Sequence, residues 1–526
     1  MKRAVRVPVV ALLLAVVLVA GTLPLSFAEP MERVFIEYMP GKGAMLRNTV
    51  QAAGGQIHHE FDRINAMAVS VTGRWASKLA KDPNVLSIEP DAKRYPAADP
   101  VPVADPSEEQ VVPYGIERVQ APLVWAEGYD GEGVTVCIID TGLYVDHEDI
   151  DGTYVLGGTS QDPESAWHQD GYGHGTHVAG TISAADNDVG VIGVSPGKVS
   201  LYMVKVFGED GLWTTSSDLV AAAFACAENG ASIISMSLSG SSGPNAEQKA
   251  FDALYYEDGI LSVAAASNDG TRQRVFPASY DSVISVAATD INNVVADFSN
   301  QNEWVELAAP GVGVLSTVPY IPDSWLNVGG KAFQGNPMEF SPYGEVTGSL
   351  ADGGLCLPTD TPGDWTGKVV LCERGDATFA EKVTTVMNGG GSAAVIYNNA
   401  PGLFSGTLGE AGDWIVAISV SQEDGQSALA YVGQEATAVS APPIPGSSYE
   451  AWNGTSMATP HVSGVAALLW SANPKWTNVQ IREAMDMTAL DLGEPGRDIA
   501  YGYGLVQAYD ALKYLGKVKP GNGPKK

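Results

Sequence analysis

Four short apolar runs constrain this chain more than any other feature: "GVTVCIID", "ASIISMSLS", "ILSVAAAS" and "VISVAA". Continuous apolar strands are buried on both faces, which requires a parallel sheet with helices packed on each side. Helical segments lie between the runs. "HVAGTISAA" and "SSDLVAAAFACAENG" are the clearest, the second closing on Gly230. From Val112 to about Pro319 the chain therefore reads as an α/β domain with a mainly parallel sheet.

The regions around it differ. Lys2, Arg3 and Arg6 precede the apolar core "VPVVALLLAVVLVAG", and Ser26-Phe27-Ala28 is a small-x-small cleavage pattern. Residues 1–28 thus read as a secretory signal peptide cut after Ala28, rather than a membrane anchor, for which the core is short. Residues 32–95 form a small α+β unit: "RVFIEYMP", "AMAVSVTG" and "VLSIEPD" as strands, "AMLRNTVQAAGG" and "RWASKLAKDPN" as helices. "YPAADPVPVADPSEEQ" reads as an extended linker. From about 320 to 448 glycine and proline rise, and "KVVLCERG", "SAAVIYNN" and "IVAISV" are strand candidates, with "FAEKVTTVMNGG" a helix between the first two. This reads as a mostly-β domain inserted in a loop of the α/β domain, which resumes over 449–515; loops accept insertions at little closure cost. The tail 516–526 is basic. At 526 residues, 45% hydrophobic, the chain suffices for two or three domains. Its net charge is −31, and the residues from Glu109 onward carry −32 by themselves. Such a chain repels nucleic acid and anionic membranes, so neither is an expected partner.

Candidate chemistry gathers at the ends of the apolar runs. "NGTSMATPHVSG" opens a helix and has three readings: an N-x-T sequon at Asn453, a helix cap at Ser456, or a nucleophile at Ser456. A serine nucleophile needs a base. His174 in "GYGHGTHVAG" is flanked by Gly173 and Gly175, which permit close approach, whereas His177, one turn on, faces packing. A base needs an acid to hold its tautomer, and Asp140 ends the buried strand "VTVCIID". A carboxylate there is costly unless paired. Asn268 follows "ILSVAAAS" and can supply an oxyanion hydrogen bond beside the Ser456 N–H. Taken singly, each has a plain structural reading as a turn, a cap or a helix-start residue.

Together they give the order Asp, His, Asn, Ser, the subtilisin order of a catalytic triad. "CIIDTG", "HGTHVAG", "SMSLSG" and "GTSMATPHVSG" resemble the signature segments of the subtilases, the subtilisin-like serine proteases, over roughly 109–319 and 449–515. The resemblance implies a three-layer α/β/α domain. It also implies Asp140 as orienter, His174 as general base and acid, Ser456 as nucleophile and Asn268 as oxyanion donor. Ser237, Leu238 and Ser239 would pair with the substrate backbone; Ser239 stands where many subtilisins have glycine. Asp269 would lie near the primary specificity pocket, favouring polar or basic side chains, or be a solvated turn carboxylate. The sequon becomes incidental, because a glycan there would block the cleft.

By the same resemblance, "AADNDVGVIGV" matches a structural Ca²⁺ loop. Ala185, Val189 and Val191 would bind through carbonyls, Asn187, Asp149 and Gln110 through side chains, and no catalytic metal is implied. Residues 29–108 resemble an inhibitor-type propeptide with its linker, cleaved somewhere in 96–109, and 320–448 resemble a protease-associated (PA) domain. Cys356 and Cys372 would staple that domain, whereas Cys137 and Cys226 pair or remain buried thiols. The implied protein is a secreted, monomeric, self-processing endopeptidase acting on proteins or peptides, inhibited by its own propeptide, with activity falling below about pH 6 as His174 protonates. The alternative is a catalytically silent secreted binding protein on the same scaffold, with the PA domain as its working part.

Overall fold

The computed structural model describes residues 30–96, 99–101, 110–161, 165–208, 211, 213–320, 323–338, 340–359, 364–399, 403–404, 406–409, 411–441 and 448–517. The signal segment, much of the linker with its expected processing site, and the last nine residues lie outside these.

The apolar runs form a seven-stranded sheet. Its order is Leu307–Pro310, Val283–Thr289, Leu261–Ala265, Ile233–Met236, Thr135–Asp140, Ser200–Lys205, Val155–Ser160, and every neighbouring pair is parallel. Alternate side chains feed opposite layers. Val136, Ile138, Leu201 and Met203 join the helices His174–Ser183 and Thr455–Ala472, whereas Cys137, Ile139, Tyr202 and Val204 join Ser216–Glu228 and Asn245–Tyr256. Both faces are covered, so both parities must be apolar, and the runs are continuous for that reason. Cys137 and Cys226 are disulfide-bonded, joining the sheet to the helix Ser216–Glu228. The chain builds out from Thr135–Asp140 to one edge and then crosses to Ile233–Met236 to build the other. The switch point between these two strands is where an open α/β sheet leaves a crevice at the strand ends.

The N-terminal unit is a four-stranded antiparallel sheet, ordered Gln56–Phe61, Ala66–Thr72, Met31–Tyr38, Val85–Pro90. Val34, Ile36 and Tyr38 face its own helices; Phe35, Phe61, Ala66 and Ala68 pack on Val220, Ala246 and Ala250 of the body. The strand Gln56–Phe61 was not expected: "QIHHEF" is polar and mostly half-buried, so no alternation marks it. The linker also departs from expectation. Lys93–Pro96 is a strand between Thr214–Thr215 and Leu238–Ser239, and Asp99–Val101 pairs with Tyr449–Asn453.

The insert is a closed seven-stranded barrel with a helix, Phe379–Asn388, packed outside it. Cys356 and Cys372 are bonded. It leaves the body between Val314–Thr317 and Tyr449–Asn453, which pair antiparallel. The barrel therefore occupies the loop of a hairpin, a position that tolerates insertion.

Candidate active site

At the switch point Asp140 ends its strand fully buried. Its Oδ1 accepts from the Thr141 N–H at 2.7 Å and from His174 Nδ1 at 2.6 Å. A carboxylate partner fixes the proton on Nδ1 and leaves the lone pair on Nε2, which is buried and makes no hydrogen bond. Gly175 is what lets the His174 helix come this close: a Cβ there would sit 2.1 Å from the Gly142 carbonyl oxygen.

Ser456 is the second residue of the helix Thr455–Ala472 and is fully buried. Its hydroxyl donates to the Ser237 carbonyl at 3.0 Å. The Ser237 hydroxyl donates in return to the Ser456 carbonyl at 2.7 Å. That carbonyl needs an outside donor because Pro460, four residues on, has no N–H to give it. Asn268 Oδ1 accepts from the Thr455 N–H at 2.9 Å and hydroxyl at 2.8 Å, tying the amide to the helix start. The fold thus brings two groups, Asp140 with His174 and Ser456 with Ser237 and Asn268, to the ends of the neighbouring parallel strands Thr135–Asp140 and Ile233–Met236. The edge Leu238–Ser239 carries the chain's own residues Tyr95 and Pro96 as an antiparallel strand. Ser239 donates its hydroxyl to Ser267, which donates to Asp269, and Asp269 stands exposed at the rim of a hollow lined by Tyr95, Pro96, Ser267 and Asn268.

Sequence reading missed three residues here. Asp170, fully buried, accepts from the Gly173 and Thr176 N–H groups at 2.9 and 2.8 Å and from the hydroxyls of Thr141 and Thr176, bracing the His174 helix against the Asp140 turn. Burial pushes its carboxyl up, against these hydrogen bonds and the Lys205 ammonium. Lys205 ends the apolar run "SLYMVK" fully buried and donates to the carbonyls of Thr141 and Gln169; a cation closing an apolar strand was the available signal. Trp452 lies beside His174, ring centroids 5.9 Å apart, and stacks on His177 at 5.1 Å. His177 is a packing residue: Nε2 donates to the carbonyls of Val314 and Glu450, and burial pushes its imidazole down to about 3. Beyond Trp452 a cavity of about 410 Å³ separates the body from the barrel residues Asn336, Met338 and Phe340.

Away from the crevice, four oxygens surround the Gln110 side-chain nitrogen: the carbonyls of Ala185, Val189 and Val191 at 2.7, 2.7 and 3.3 Å, and Asn187 Oδ1 at 3.2 Å. Asp149 Oδ2 accepts from the Val191 N–H at 2.8 Å, while Oδ1 is buried without a partner. Burial pushes this carboxyl up to about 6. An amide nitrogen offers two hydrogens to four acceptors, so the oxygen-rich ring with its unpaired carboxylate oxygen fits a hard divalent cation. Among the described residues no cluster of three or more His, Cys, Asp or Glu side chains is placed to hold a metal, so this ring relies on carbonyls.

Comparison with known proteins agrees with this geometry. The Subtilase family profile matches residues 131–338 and 392–504, and the PA domain profile matches 346–428. Alkaline elastase YaB of Bacillus sp. (strain YaB) is 30% identical over 479 residues, 91% of this chain and 88% of that one. Subtilisin E of Bacillus subtilis (strain 168) is 28% identical, covering 89% and 86%. Among solved structures, the psychrophilic subtilisin-like protease Apa1 from Pseudoalteromonas sp. AS-11 is 35% identical with a TM-score of 0.51, covering 78% of this chain and 98% of that one. Fervidolysin from Fervidobacterium pennivorans shares the fold, with a TM-score of 0.61 at 22% identity over 92% of this chain and 61% of that one. The chain belongs to the subtilase family of serine proteases, with a PA domain inserted in it.

Proposed function

We propose that this protein is a secreted endopeptidase, made as a self-processing zymogen, in which Ser456, His174, Asp140 and Asn268 perform acyl transfer. The observation that carries the reading is the Asp140–His174 hydrogen bond beside a serine at a helix start, with a strand of the chain's own N-terminal segment against the neighbouring edge. The Ser456 hydroxyl turns from the Ser237 carbonyl to His174 Nε2, which takes its proton as Oγ attacks the peptide carbonyl. Asp140 holds the tautomer and stabilises the imidazolium. The Asn268 amide and the Ser456 N–H receive the developing oxyanion. His174 then gives the proton to the leaving amine, and water repeats the sequence on the acyl-enzyme. Ser237, Leu238 and Ser239 hold the substrate as an added strand, and Asp269 stands at the rim of the hollow below it.

Residues 29–108 act as propeptide and inhibitor of a monomeric enzyme. Secretion is supported by the N-terminal sequence; among the described residues no helix is long and apolar enough to cross a membrane. Gln110, Asp149, Ala185, Asn187, Val189 and Val191 would hold a structural Ca²⁺ that ties down the start of the mature chain. The barrel, walling the cavity beside Trp452, fits a part in selecting or admitting protein substrates.

The test is to express residues 29–526 with calcium beside Ser456→Ala, following mass and casein hydrolysis. Wild type should lose a segment of the N-terminal unit and cleave casein; the variant should do neither, a loss of about 10⁴-fold or more. Equal behaviour of the two, with the fold intact, would overturn the reading. Chelating calcium should lower the thermal stability of the processed enzyme; no change would remove the metal from the proposal.

A further inference from the structure

The strand Lys93–Pro96 lies between two edges of the body. Lys93 and Arg94 pair with Thr215 and Thr214, and Tyr95 and Pro96 with Ser239 and Leu238. The carbonyl of Ser237, the next residue of that edge, accepts the Ser456 hydroxyl. For a substrate strand in the same register, whose residue opposite Ser237 contributes the attacked carbonyl, the places held by Pro96, Tyr95 and Arg94 are the second, third and fourth before the scissile bond. The neighbours of Arg94 turn outward: Tyr95 is 46% exposed, and the Lys93 ammonium lies over the exposed Trp213 ring. Arg94 is 0% exposed.

Arg94 enters a charged pocket. Its Nη2 donates to both carboxylate oxygens of Glu247, at 2.7 and 2.6 Å, and Nη1 donates to the Lys93 carbonyl at 2.8 Å. Glu247 is itself 0% exposed. It sits in the first turn of the helix Asn245–Tyr256, where the helix dipole favours an anion, and the Ser216 hydroxyl donates to its Oε2. The Tyr280 hydroxyl also hydrogen-bonds the carboxylate, and Phe251 lies buried one turn further along the same helix. Room for the guanidinium depends on Gly240, where a Cβ would lie 2.3 Å from the Lys93 carbonyl oxygen and 2.7 Å from Arg94 Nη1.

We propose that Glu247 makes this pocket an arginine-selecting subsite, so that the enzyme prefers protein substrates with arginine four residues before the cleaved bond. The proposal rests on the protease reading above. Arg94 occupies the pocket as part of the chain, and a substrate must take its place once that segment leaves. A neutral side chain would leave the Glu247 carboxylate buried without a cation, which costs more than the pair itself contributes. Arginine reaches the carboxylate with one nitrogen and a backbone carbonyl with another; the single ammonium of lysine cannot do this across the same span.

The experiment uses the processed enzyme and internally quenched peptides of the form X-Tyr-Pro-Ala-Ala, with X as Arg, Lys, Leu or Ala, and casein in parallel. In wild type kcat/KM for X = Arg should exceed that for X = Ala by about 30-fold, with Lys between them. In Glu247→Gln the Arg/Ala ratio should fall to near one. Should that variant fail to fold, the wild-type series decides by itself. A wild-type ratio near one, a preference for leucine, or a Glu247→Gln enzyme that still favours arginine would overturn the subsite. Casein cleavage with a flat series sinks only the subsite, whereas loss of casein cleavage as well sinks the protease reading and the subsite with it.

Discussion

The N-terminal unit and the barrel lie against the same body and are held to it differently. From the N-terminal unit Arg33 and His59 reach Asp218, Arg63 reaches Glu257 and Asp258, Glu37 meets Lys249, and Arg94 meets Glu247. Between these pairs Phe35, Phe61, Ile64, Ala66 and Ala68 form an apolar contact with Val220, Phe224, Ala246 and Ala250. Among the described residues no ion pair joins barrel to body; the barrel is continuous with the body at both ends of a hairpin. Charged contacts can be exchanged for water at modest cost, whereas a covalent tether at both ends cannot be exchanged at all. The first attachment fits the release proposed above for the N-terminal unit, the second a part that stays.

The largest test of this contrast uses acid, because histidine is distributed unevenly. Residues 320–448 contain none, whereas the body buries His177 and His461 as neutral rings. Burial pushes them down to about 3 and about 4. The folded values lie below the unfolded 6.5, so the unfolded chain binds protons first. Stability from these groups is full above about pH 6.5 and falls as pH drops towards 3–4. At pH 5 each should cost the body about 2 kcal/mol. Asp149, Asp170 and Asp486 of the same body are pushed up by burial and gain stability over this range, so the histidine share is read by difference in hydrogen exchange. Between pH 7 and pH 5 the body's slowest amides in the unprocessed Ser456→Ala chain should lose roughly several-hundred-fold more protection than in the same chain carrying His177→Gln and His461→Gln, while the barrel's amides barely differ between the two chains. Equal loss in both would break the contrast.

A smaller effect isolates the N-terminal unit. Asp218 is pushed up by burial but pulled down further by hydrogen bonds from His59 and Thr215 and by the Arg33 guanidinium, to about 2. Its stabilisation is present above the ordinary 3.8 and is lost as pH falls from there through about 2. At neutral pH Asp218→Asn in the unprocessed chain should loosen the N-terminal unit by about 2 kcal/mol, a roughly 30-fold faster exchange of its amides. The barrel's exchange should not change. Unchanged exchange in the N-terminal unit would mean that the ion pairs do not hold it.

The same contrast sorts what was legible in the sequence. Asp140, His174, Asn268 and Ser456 stood out because each polar residue interrupts or follows an apolar run at an element end. Glu247 did not, because "NAEQKAFDALYY" reads as a helix with a solvated acidic face. Only the fold puts Arg94 against it, 153 residues away in sequence. Tyr95 and Pro96 read as the start of the linker, and Lys93 and Arg94 as an unmarked end of the unit before it, for a related reason: a strand formed from "KRYP" exists only because two edges of another unit accept it. Local patterns identify what a residue is buried by within its own element. Contacts between units, made by polar residues at long separation, leave no period in the sequence.

The smallest effect tests whether every ion pair at the N-terminal interface counts. Arg63 meets Asp258 at 2.6 Å and Glu257 at 3.1 Å, but these side chains are 35%, 32% and 67% exposed. Water screens such pairs, and ordering three mobile side chains offsets most of the attraction. Arg63→Ala should therefore loosen the N-terminal unit by under about 1 kcal/mol at low salt and by less as salt rises. A loss matching that of Asp218→Asn would mean that release is governed by the rim of the interface. The expected gap between the two variants instead assigns the hold to the half-buried charges around Asp218, leaving the rim to steer docking without determining its strength.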